Sequence, residues 1–401
     1  MKGKTAMKKL RKIRKSEHSV EIVSDAGEGA QKAAVAFAQV CARMGNGLWT
    51  VEIIPSEIQP PPHTTGSASG NRIRFAERRQ VTNAGDKANV VLAFNEMALL
   101  SRIEANAIAD DVLVIIDNQW AGHDDPIIRK NYAKILGGIK ERGGSILEIP
   151  FEEETLKVVD DPRRGKNMFA LGCLSYIYGR DKDILTAVVK SIFGKKAQKV
   201  IDRAVQLVER GYHYAEEHVD FQFEILSPAP EKEMVVMNGN TALALGVIAA
   251  GFDLCSMYPI TPATSASHAL ADIFEDFGGF VHQAEDEIAA IGVAVGASYA
   301  GKQAITITSG PGMALKTEFQ GLAVMTETPL VIVDVQRGGP STGLPTKIEQ
   351  GDLLHALFGT PGDAPKVVMA ASTIEECYYI LATARKIAEE FRMLVIVLSD
   401  A

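Results

Sequence analysis

The sequence predicts an α/β protein whose C-terminal part is a doubly wound parallel α/β domain. Between residues 234 and 401, short apolar runs alternate regularly with helical patterns. The runs are almost continuously hydrophobic, as at 330–333 and 394–398, which is typical of strands covered by helices on both faces. The N-terminal half also alternates strands with helical patterns and is predicted to be a second α/β domain.

The length of 401 residues exceeds one ordinary hydrophobic core, so we expect more than one domain. We expect a tail at 1–17, a domain at 18–225 with a helical end at 169–218, a linker at 226–234 and a second domain at 235–401. Pro228 and Pro230 mark the linker. Eight of the first fifteen residues are Lys or Arg, which favours a solvated, disordered tail over a nucleic-acid-binding arm.

The predicted secondary structure follows the apolar runs. Strands are predicted at 20–25, 50–55, 71–77, 89–94, 112–117, 145–150, 234–237, 254–259, 280–284, 303–308, 330–335, 366–370 and 394–398. Helices of the second domain are predicted at 239–250, 263–276, 286–300, 313–325, 351–357 and 373–390. The sequence stops three residues after the last predicted strand, from which we expect that it belongs to a longer protein.

Composition narrows the possible functions. The chain has no apolar run of the ~20 residues that span a membrane and no signal peptide, so we expect a cytoplasmic protein without a membrane partner. The net charge is −8 although the first fifteen residues carry +8, so the remainder carries −16, which argues against nucleic acid as the main partner. The four widely spaced cysteines predict neither a disulfide framework nor an iron–sulfur or zinc site within the chain.

Two features of the N-terminal half could contact a ligand. Gly27 and Gly29 follow the strand at 20–25 and precede a helical pattern, an arrangement that offers backbone N–H groups to an anion. The glycine pattern is incomplete, so a plain tight turn is the alternative. Asn95 directly follows the strand at 89–94, where it could cap a helix or face a ligand.

Four motifs in the second domain follow apolar strands and are expected to meet at one edge of the sheet. They are Tyr258-Pro259-Ile260-Thr261-Pro262, Glu285-Asp286-Glu287, Ser309-Gly310-Pro311-Gly312 and the loop at 337–346 that contains Arg337, Ser341 and Thr342. Thr261 is predicted to cap the next helix, with Pro262 in its first turn. Gly310 and Gly312 permit a tight turn with outward-facing N–H groups.

Glu287 is predicted to begin a helix, where the macrodipole favours its ionised form. That helix has one face of small residues, which we expect to pack against a neighbouring backbone or a partner subunit. These residues are Ala289, Gly292, Gly296 and Ala300. Arg337 stands at the base of a loop rich in glycines and hydroxyls, which suits recognition of a small carboxylate.

Together these motifs resemble those of the 2-oxoacid:ferredoxin oxidoreductases, in the subunit that carries the pyrimidine-type domain of a thiamine diphosphate enzyme. The match covers residues 235–400. The N-terminal half is similar to the family's gamma domain, fused ahead of the alpha domain. The resemblance implies oxidative decarboxylation of a 2-oxoacid with coenzyme A and ferredoxin. The fused order favours 2-oxoglutarate, a tricarboxylic acid cycle substrate, with pyruvate or broad 2-oxoacid specificity as the alternative.

The resemblance also implies roles for individual residues. Glu287 would bind N1′ of the aminopyrimidine and so promote proton removal from the thiazolium carbon, with Glu285 as the alternative carboxylate. Thr261 and Arg337 would hold the substrate carboxylate. Further expected contacts are Ser341 and Thr342 for the substrate, Tyr258, Pro259, Ile260, Glu285, Gly310 and Gly312 for thiamine diphosphate, and Gly27, Gly29 and Asn95 for coenzyme A.

The family's design places part of the site on another chain. Thiamine diphosphate would be shared with a beta subunit that carries Mg²⁺ and a [4Fe-4S] cluster, in an (αβ)₂ assembly that reduces ferredoxin. The helix after Glu287 would lie at the interface between the alpha and beta subunits. We therefore expect this chain alone to be inactive. Two alternatives are a thiamine diphosphate enzyme of the transketolase or acetolactate type, and a non-catalytic subunit that binds a nucleotide at the glycine turn.

Overall fold

The computed structural model describes residues 10–56, 60–78, 80–228 and 234–400. It divides the chain into two compact units, one ending at Met234 and the other beginning at Val235. This division coincides with the end of the predicted linker. Residues 1–9 of the predicted tail, 229–233 of the linker and residue 401 lie outside the described residues.

The N-terminal unit alternates strands and helices. Its strands are β1 (Arg11–Arg14), β2 (Glu17–Asp25), β3 (Gly47–Ile53), β4 (Ala68–Ala76), β5 (Ala88–Ala93), β6 (Ile108–Asp117), β7 (Ser145–Ile149) and β8 (Phe221–Glu224). Its α-helices are α1 (Ala30–Arg43), α2 (Glu96–Glu104), α3 (Pro126–Glu141), α4 (Phe151–Leu156), α5 (Lys166–Ile177), α6 (Lys182–Ile192) and α7 (Gln198–His218). Short 3₁₀ turns lie at Thr65–Ser67, Asn118–Gly122 and Pro162–Arg164.

Six strands of the described N-terminal unit form one mixed sheet in the order β3-β4-β2-β5-β6-β7. β4 is antiparallel to both β2 and β3, whereas the other pairs are parallel. Side chains alternate between the faces, so that Ile22 and Leu92 enter a core with α1, α5 and α7, while Val23 and Val91 enter a core with α2 and α3. This unit is therefore an α/β layer structure with helices on both faces.

The N-terminal segment is partly ordered, so the prediction of a disordered tail is wrong for residues 11–17. β1 pairs in parallel with β8, at the far end of the same unit. Arg11 N donates to the Asp220 carbonyl oxygen (2.8 Å), and Lys12 Nζ lies 3.2 Å from Glu224 Oε1. The segment is thus held by backbone pairing with residues more than 200 positions away and by ion pairs of Lys12 with Glu224 and of Arg14 with Glu77 (2.6 Å), contacts that local composition does not reveal.

Helices α5 and α7 touch backbone to backbone through two glycines. A Cβ atom at Gly211 would lie 2.0 Å from the carbonyl oxygen of Phe169, and one at Gly172 would lie 2.1 Å from that of Val208. The obstructing atoms are backbone oxygens, which cannot rotate away. α5 is buried along its whole length, so its crossing with α7 forms the centre of the helical segment predicted at 169–218.

Replacing Gly211 by Ala is expected to lower the free energy of unfolding of the N-terminal unit by about 2–3 kcal/mol, because overpacking of this size forces the helices apart. The matched control is Gly137→Ala in α3, where a Cβ would meet no atom within 4 Å. There the better helix propensity of alanine should raise stability by roughly 0.5–1 kcal/mol. Urea unfolding followed by circular dichroism measures both changes. Equal effects at the two sites would contradict the close crossing.

The C-terminal unit has a regular alternation. Its strands are β9 (Leu254–Met257), β10 (Phe280–Gln283), β11 (Ala304–Thr308), β12 (Leu330–Gln336), β13 (Val367–Ala370) and β14 (Leu394–Asp400). Its α-helices are α8 (Gly239–Ala249), α9 (Thr264–Ile273), α10 (Glu287–Tyr299), α11 (Gly310–Leu315), α12 (Thr317–Met325), α13 (Leu353–Phe358) and α14 (Ile374–Phe391), with a 3₁₀ turn at Phe274–Phe277.

The described strands of this unit form a six-stranded sheet in the order β10-β9-β11-β12-β14-β13, and all pairs are parallel. Helices α8, α9 and α14 cover one face over Ile305, Val333 and Val397. Helices α10, α11 and α12 cover the other over Ile332 and Ile396. The predicted doubly wound parallel fold is confirmed.

Two predicted elements differ from the structure. Residues 234–238 form no strand, because Met234, Val235 and Val236 are each more than half exposed and lie beside no other strand among the described residues. The helix predicted at 313–325 is two helices, α11 and α12, which meet at Lys316.

Across the described parts of the chain, we find no helix with the length and apolar content needed to cross a lipid bilayer.

Candidate active site

The four motifs of the C-terminal unit meet at the carboxyl edge of its sheet. They follow β9, β10, β11 and β12, which run in the same direction. β9 lies between β10 and β11, so the chain crosses to opposite sides of β9 after successive strands. Open parallel sheets bind ligands at such a switch point, beyond the carboxyl ends of the strands.

Glu287 is directed into this edge. It is the first residue of α10, and Asp286 caps the helix by accepting a hydrogen bond from Ala289 N at Oδ1 (2.7 Å). A Cβ at Gly312 would lie only 2.9 Å from Glu287 Cγ and 3.5 Å from its Oε1. The glycine therefore lets the carboxylate lie against the start of α11. Glu285, in contrast, is exposed to solvent.

Lys316, which the sequence reasoning missed, contacts the backbone of Glu287. Its side chain is fully buried, and Nζ donates a hydrogen bond to the backbone carbonyl oxygen of Glu287 (2.6 Å). Burial lowers the pKa of Lys316 to about 8, while the carboxylates of Glu287 and Asp286 act in the opposite direction. A lysine inside the apolar helical pattern predicted at 313–325 was the available signal.

Arg337 joins the first motif to the fourth. Nη1 donates to the carbonyl oxygen of Thr261 (2.7 Å), and Nη2 donates to that of Thr342 (2.6 Å). The residue is 8% exposed, and no hydrogen-bond partner reaches Nε from the described residues. Burial lowers the pKa of Arg337, opposed by Asp352 and Glu287, and the guanidinium remains charged. Its plane is thus fixed by two carbonyls and not by the hydroxyls of the loop.

The prediction that Thr261 caps the following helix is wrong. α9 begins at Thr264 with Ala263 at the cap position, and the peptide bond between Thr261 and Pro262 is cis. Asn240 Nδ2 of α8 donates to the carbonyl oxygen of Pro262 (3.0 Å), and Thr264 N donates to that of Ile260 (3.0 Å), so the turn is bonded to α8 and to the start of α9. The side chain of Thr261 is exposed, as are those of Ser341 and Thr342, while Tyr258, Pro259 and Ile260 are half-buried.

Gly310 and Gly312 lie in the first turn of α11 and not in a free turn, which corrects the prediction for this motif. Several buried polar atoms on neighbouring strands have no hydrogen-bond partner in the described structure. These atoms are Ser256 Oγ, Thr306 Oγ1, Thr308 Oγ1, Ser309 Oγ and both Oδ atoms of Asp334. They lie on β9, β11 and β12 or directly after β11. This part of the sheet therefore has buried hydrogen-bonding groups that the described chain leaves unsatisfied.

The glycine turn of the N-terminal unit has acidic surroundings. Gly27 and Gly29 adopt positive φ angles of 89° and 88°, and Glu28 Oε2 accepts a hydrogen bond from Asp25 N (3.2 Å). Lys166 Nζ lies 3.6 Å from both Glu28 Oε1 and Asp117 Oδ2. The lysine's charge is therefore engaged by carboxylates, which makes the turn a poor site for a bare phosphate.

Burial favours the protonated form of two carboxyl groups beside Lys166. Burial raises the pKa of Asp117, at the end of β6, to about 6, and it also raises the pKa of Glu28; in both cases the positive charge of Lys166 acts in the opposite direction. Asn95 was predicted either to cap a helix or to face a ligand. It caps α2, because its Oδ1 accepts a hydrogen bond from Ala98 N (2.7 Å). Its contact with coenzyme A, and those of Gly27 and Gly29, stay predictions.

Two family models match the chain. Residues 19–214 match "pyruvate ferredoxin/flavodoxin oxidoreductase", and residues 245–401 match the thiamine diphosphate-binding domain of pyruvate flavodoxin/ferredoxin oxidoreductase. The chain belongs to the 2-oxoacid:ferredoxin oxidoreductase family. Family membership thus confirms the resemblance noted in the motifs, including the order of its two domains.

Similar proteins come from bacteria and archaea. The chain is 36% identical to a 2-oxoglutarate oxidoreductase subunit KorA of Mycobacterium tuberculosis, over 95% of this chain and 60% of that protein. A 2-oxoglutarate synthase subunit KorA of Archaeoglobus fulgidus is 48% identical over 42% of this chain and 49% of its own length.

A solved structure of a related enzyme aligns with almost the whole of this chain. The 2-oxoglutarate:ferredoxin oxidoreductase of Magnetococcus marinus, with 2-oxoglutarate, coenzyme A and succinyl-CoA bound, aligns with a TM-score of 0.83 at 34% identity. The alignment covers 96% of this chain and 64% of that one. The chain therefore spans less than two thirds of the length of these relatives.

Proposed function

We propose that this chain is a fused gamma–alpha subunit of an enzyme that oxidatively decarboxylates a 2-oxoacid with coenzyme A and ferredoxin. The products are an acyl-CoA, CO2 and reduced ferredoxin. The observation that carries the proposal is the convergence of Glu287 and Arg337 on one sheet edge, each fixed by contacts of its own. The relatives named for 2-oxoglutarate favour that substrate, and pyruvate is the alternative.

Glu287 suits the aminopyrimidine of thiamine diphosphate. The carboxylate lies at a helix N-terminus, where the macrodipole stabilises its negative charge, and Gly312 leaves room beside it. The unpartnered hydroxyls of Thr308 and Ser309 at the same edge fit a ligand with polar ring atoms. When bound, the cofactor supplies the electron sink for decarboxylation. In this proposal Glu287 holds and exchanges the proton on the aminopyrimidine nitrogen.

Arg337 suits the carboxylate of the 2-oxoacid. A guanidinium has five N–H donors, and the described contacts with Thr261 and Thr342 use two of its nitrogen atoms. Because these contacts fix the plane of the group, the remaining donors are pre-organised for a planar carboxylate. A charge held in place both binds the substrate and orients its keto group.

The surface of α10 supports a partner on this side of the unit. Ile288, Val293 and Tyr299 of α10 are exposed, and a Cβ at Gly296 would meet no atom within 4 Å. Met325 at the end of α12 is 83% exposed. Apolar exposure of this kind marks an interaction surface. We assign it to a beta subunit that completes the thiamine diphosphate site, carries Mg²⁺ and [4Fe-4S], transfers electrons to ferredoxin and forms an (αβ)₂ assembly.

The test is to purify the chain alone and together with its beta subunit, and to follow ferredoxin reduction with 2-oxoglutarate or pyruvate. We expect turnover only with both subunits and with coenzyme A, faster with 2-oxoglutarate. Turnover by the chain alone would contradict the shared site. Decarboxylation independent of coenzyme A and ferredoxin would instead support another thiamine diphosphate enzyme. Nucleotide binding without any turnover would support the non-catalytic alternative.

A further inference from the structure

Asp334 is a buried carboxyl group that the proposed chemistry does not use. It lies near the carboxyl end of β12, between Thr308 of β11 and Leu398 of β14, and it is fully buried. Among the described residues, no N–H or hydroxyl donor reaches either of its oxygen atoms. An ionised carboxylate in such a place would be strongly destabilising.

The carboxyl group that faces Asp334 is that of Asp352, which raises the pKa of Asp334. The backbone places Asp352 there, because its N donates to Gln336 Oε1 (3.0 Å) and Gln336 lies two residues along β12, on the same face as Asp334. Its carboxyl also lies against Gly310, where a Cβ would be 2.8 Å from Oδ2 and 2.9 Å from Oδ1. The approach of the two carboxyl groups is therefore built into three elements, β12, α11 and the segment before α13.

Two carboxyl groups can form a hydrogen bond only if one of them carries a proton. Neighbouring carboxylates resist ionising together, as in other paired carboxyl sites. Burial raises the pKa of Asp334 well above its usual range, and Asp352 adds to that effect. Burial also raises the pKa of Asp352.

The charges around the pair do not neutralise it. The titratable and charged groups that face it are Arg337 in the loop, Glu349 before α13, His355 on α13 and, beside Arg337, Glu287 on α10. α11 contributes the uncharged Gly310, and β14 contributes Leu398 beside Asp334. Farther along β14, Asp400 accepts a hydrogen bond from Gln350 Nε2 (2.6 Å). Neither oxygen of Asp334 receives an N–H from any of these groups.

We propose that Asp334 and Asp352 share one proton and form a positioning pair that closes the base of the Arg337 loop. The two residues flank the segment 335–351, which contains Arg337 and its contact with Thr342. Joining its ends keeps the guanidinium at the sheet edge. The inference rests on the proposed function only through the role of Arg337 in holding the substrate carboxylate.

The pair predicts a defined pH dependence. The folded-state pKa of Asp334 is raised, so the folded chain retains a proton that the unfolded chain releases above about pH 4. The stabilisation is therefore complete at acid pH and is lost as the pH rises through the folded-state pKa. Asparagine at position 334 would donate an N–H to Asp352 at every pH and should remove this dependence.

The experiment compares Asp334→Asn and Asp334→Ala with the wild type, each assembled with the beta subunit, and uses the exposed Asp363→Asn as the matched control. Infrared difference spectra recorded over a pH series report a protonated carboxyl group directly. We expect its carbonyl band in the wild type and in Asp363→Asn but not in Asp334→Asn. We also expect Asp334→Ala to raise KM for the 2-oxoacid about tenfold, with a smaller change in kcat, because Asp352 loses its partner. Asp334→Asn should restore most of that loss.

Each outcome decides a separate point. An absent band, or one unchanged in Asp334→Asn, would overturn the shared proton. A lost band combined with an unchanged KM in Asp334→Ala would overturn the positioning role. Equal KM values for the Asn and Ala variants would also overturn it, since only Asn keeps the hydrogen bond. The infrared result does not depend on turnover, so it stands apart from failure of the proposed function, which would appear as an inactive wild-type complex.

Discussion

Replacing Glu287 by Gln in the assembled complex is expected to lower kcat/KM for the 2-oxoacid by about 10²–10⁴-fold, the usual contribution of a general acid–base group. The amide matches the carboxylate in size, so it keeps the packing against Gly312, but it cannot hold and exchange a proton. Steady-state reduction of ferredoxin measures the loss, and circular dichroism checks that the variant is folded.

Glu285→Gln distinguishes the two carboxylates. Glu285 is exposed, whereas Glu287 lies half-buried at the start of α10, so Glu285→Gln should lose far less activity than Glu287→Gln. The opposite ranking would transfer the acid–base role to Glu285, the alternative that the spacing of the two residues left open.

The second large effect is expected for Arg337→Lys. Lysine keeps the positive charge, but a single ammonium cannot replace the guanidinium that spans the carbonyl oxygens of Thr261 and Thr342. We expect KM for the 2-oxoacid to rise roughly 10- to 100-fold, in line with the ~1.5–3 kcal/mol of a charge-assisted hydrogen bond.

The KM for coenzyme A reports whether the effect of Arg337→Lys is local, and it should change much less. Arg392→Lys, at an exposed helix end, is the control for an arginine-to-lysine change elsewhere in the unit. An unchanged KM for the 2-oxoacid in Arg337→Lys would remove Arg337 from the substrate site.

Local sequence information was sufficient for most of the sheet and for the sheet edge at which the motifs meet. Strands such as β12 and β14 are buried on both faces, so their near-continuous apolar runs identify them without knowledge of their neighbours. The motifs after β9, β11 and β12 had to share an edge because the strands are parallel. Asn95 was recognised as a cap candidate for a similarly local reason, a short polar residue between a strand and a helix.

The remaining features depend on contacts between distant segments. The pairing of β1 with β8 and the close approach of Gly211 to Phe169 join residues that no local pattern connects. The same holds for Lys316 under Glu287 and for Asp334 against Asp352. Propensity also misled at Thr261, where a polar residue before proline resembled a helix cap although α9 begins at Thr264.

The most direct test of the central claim is the exchange rate of the thiazolium C2 proton of thiamine diphosphate bound to the assembled complex. Deuterium exchange with rapid acid quenching, read by NMR, measures that rate without substrate or ferredoxin. At equal cofactor occupancy, we expect Glu287→Gln to exchange at least about 10²-fold more slowly than the wild type. Equal rates in the two proteins would contradict the assignment of Glu287 to the proton chemistry of this site.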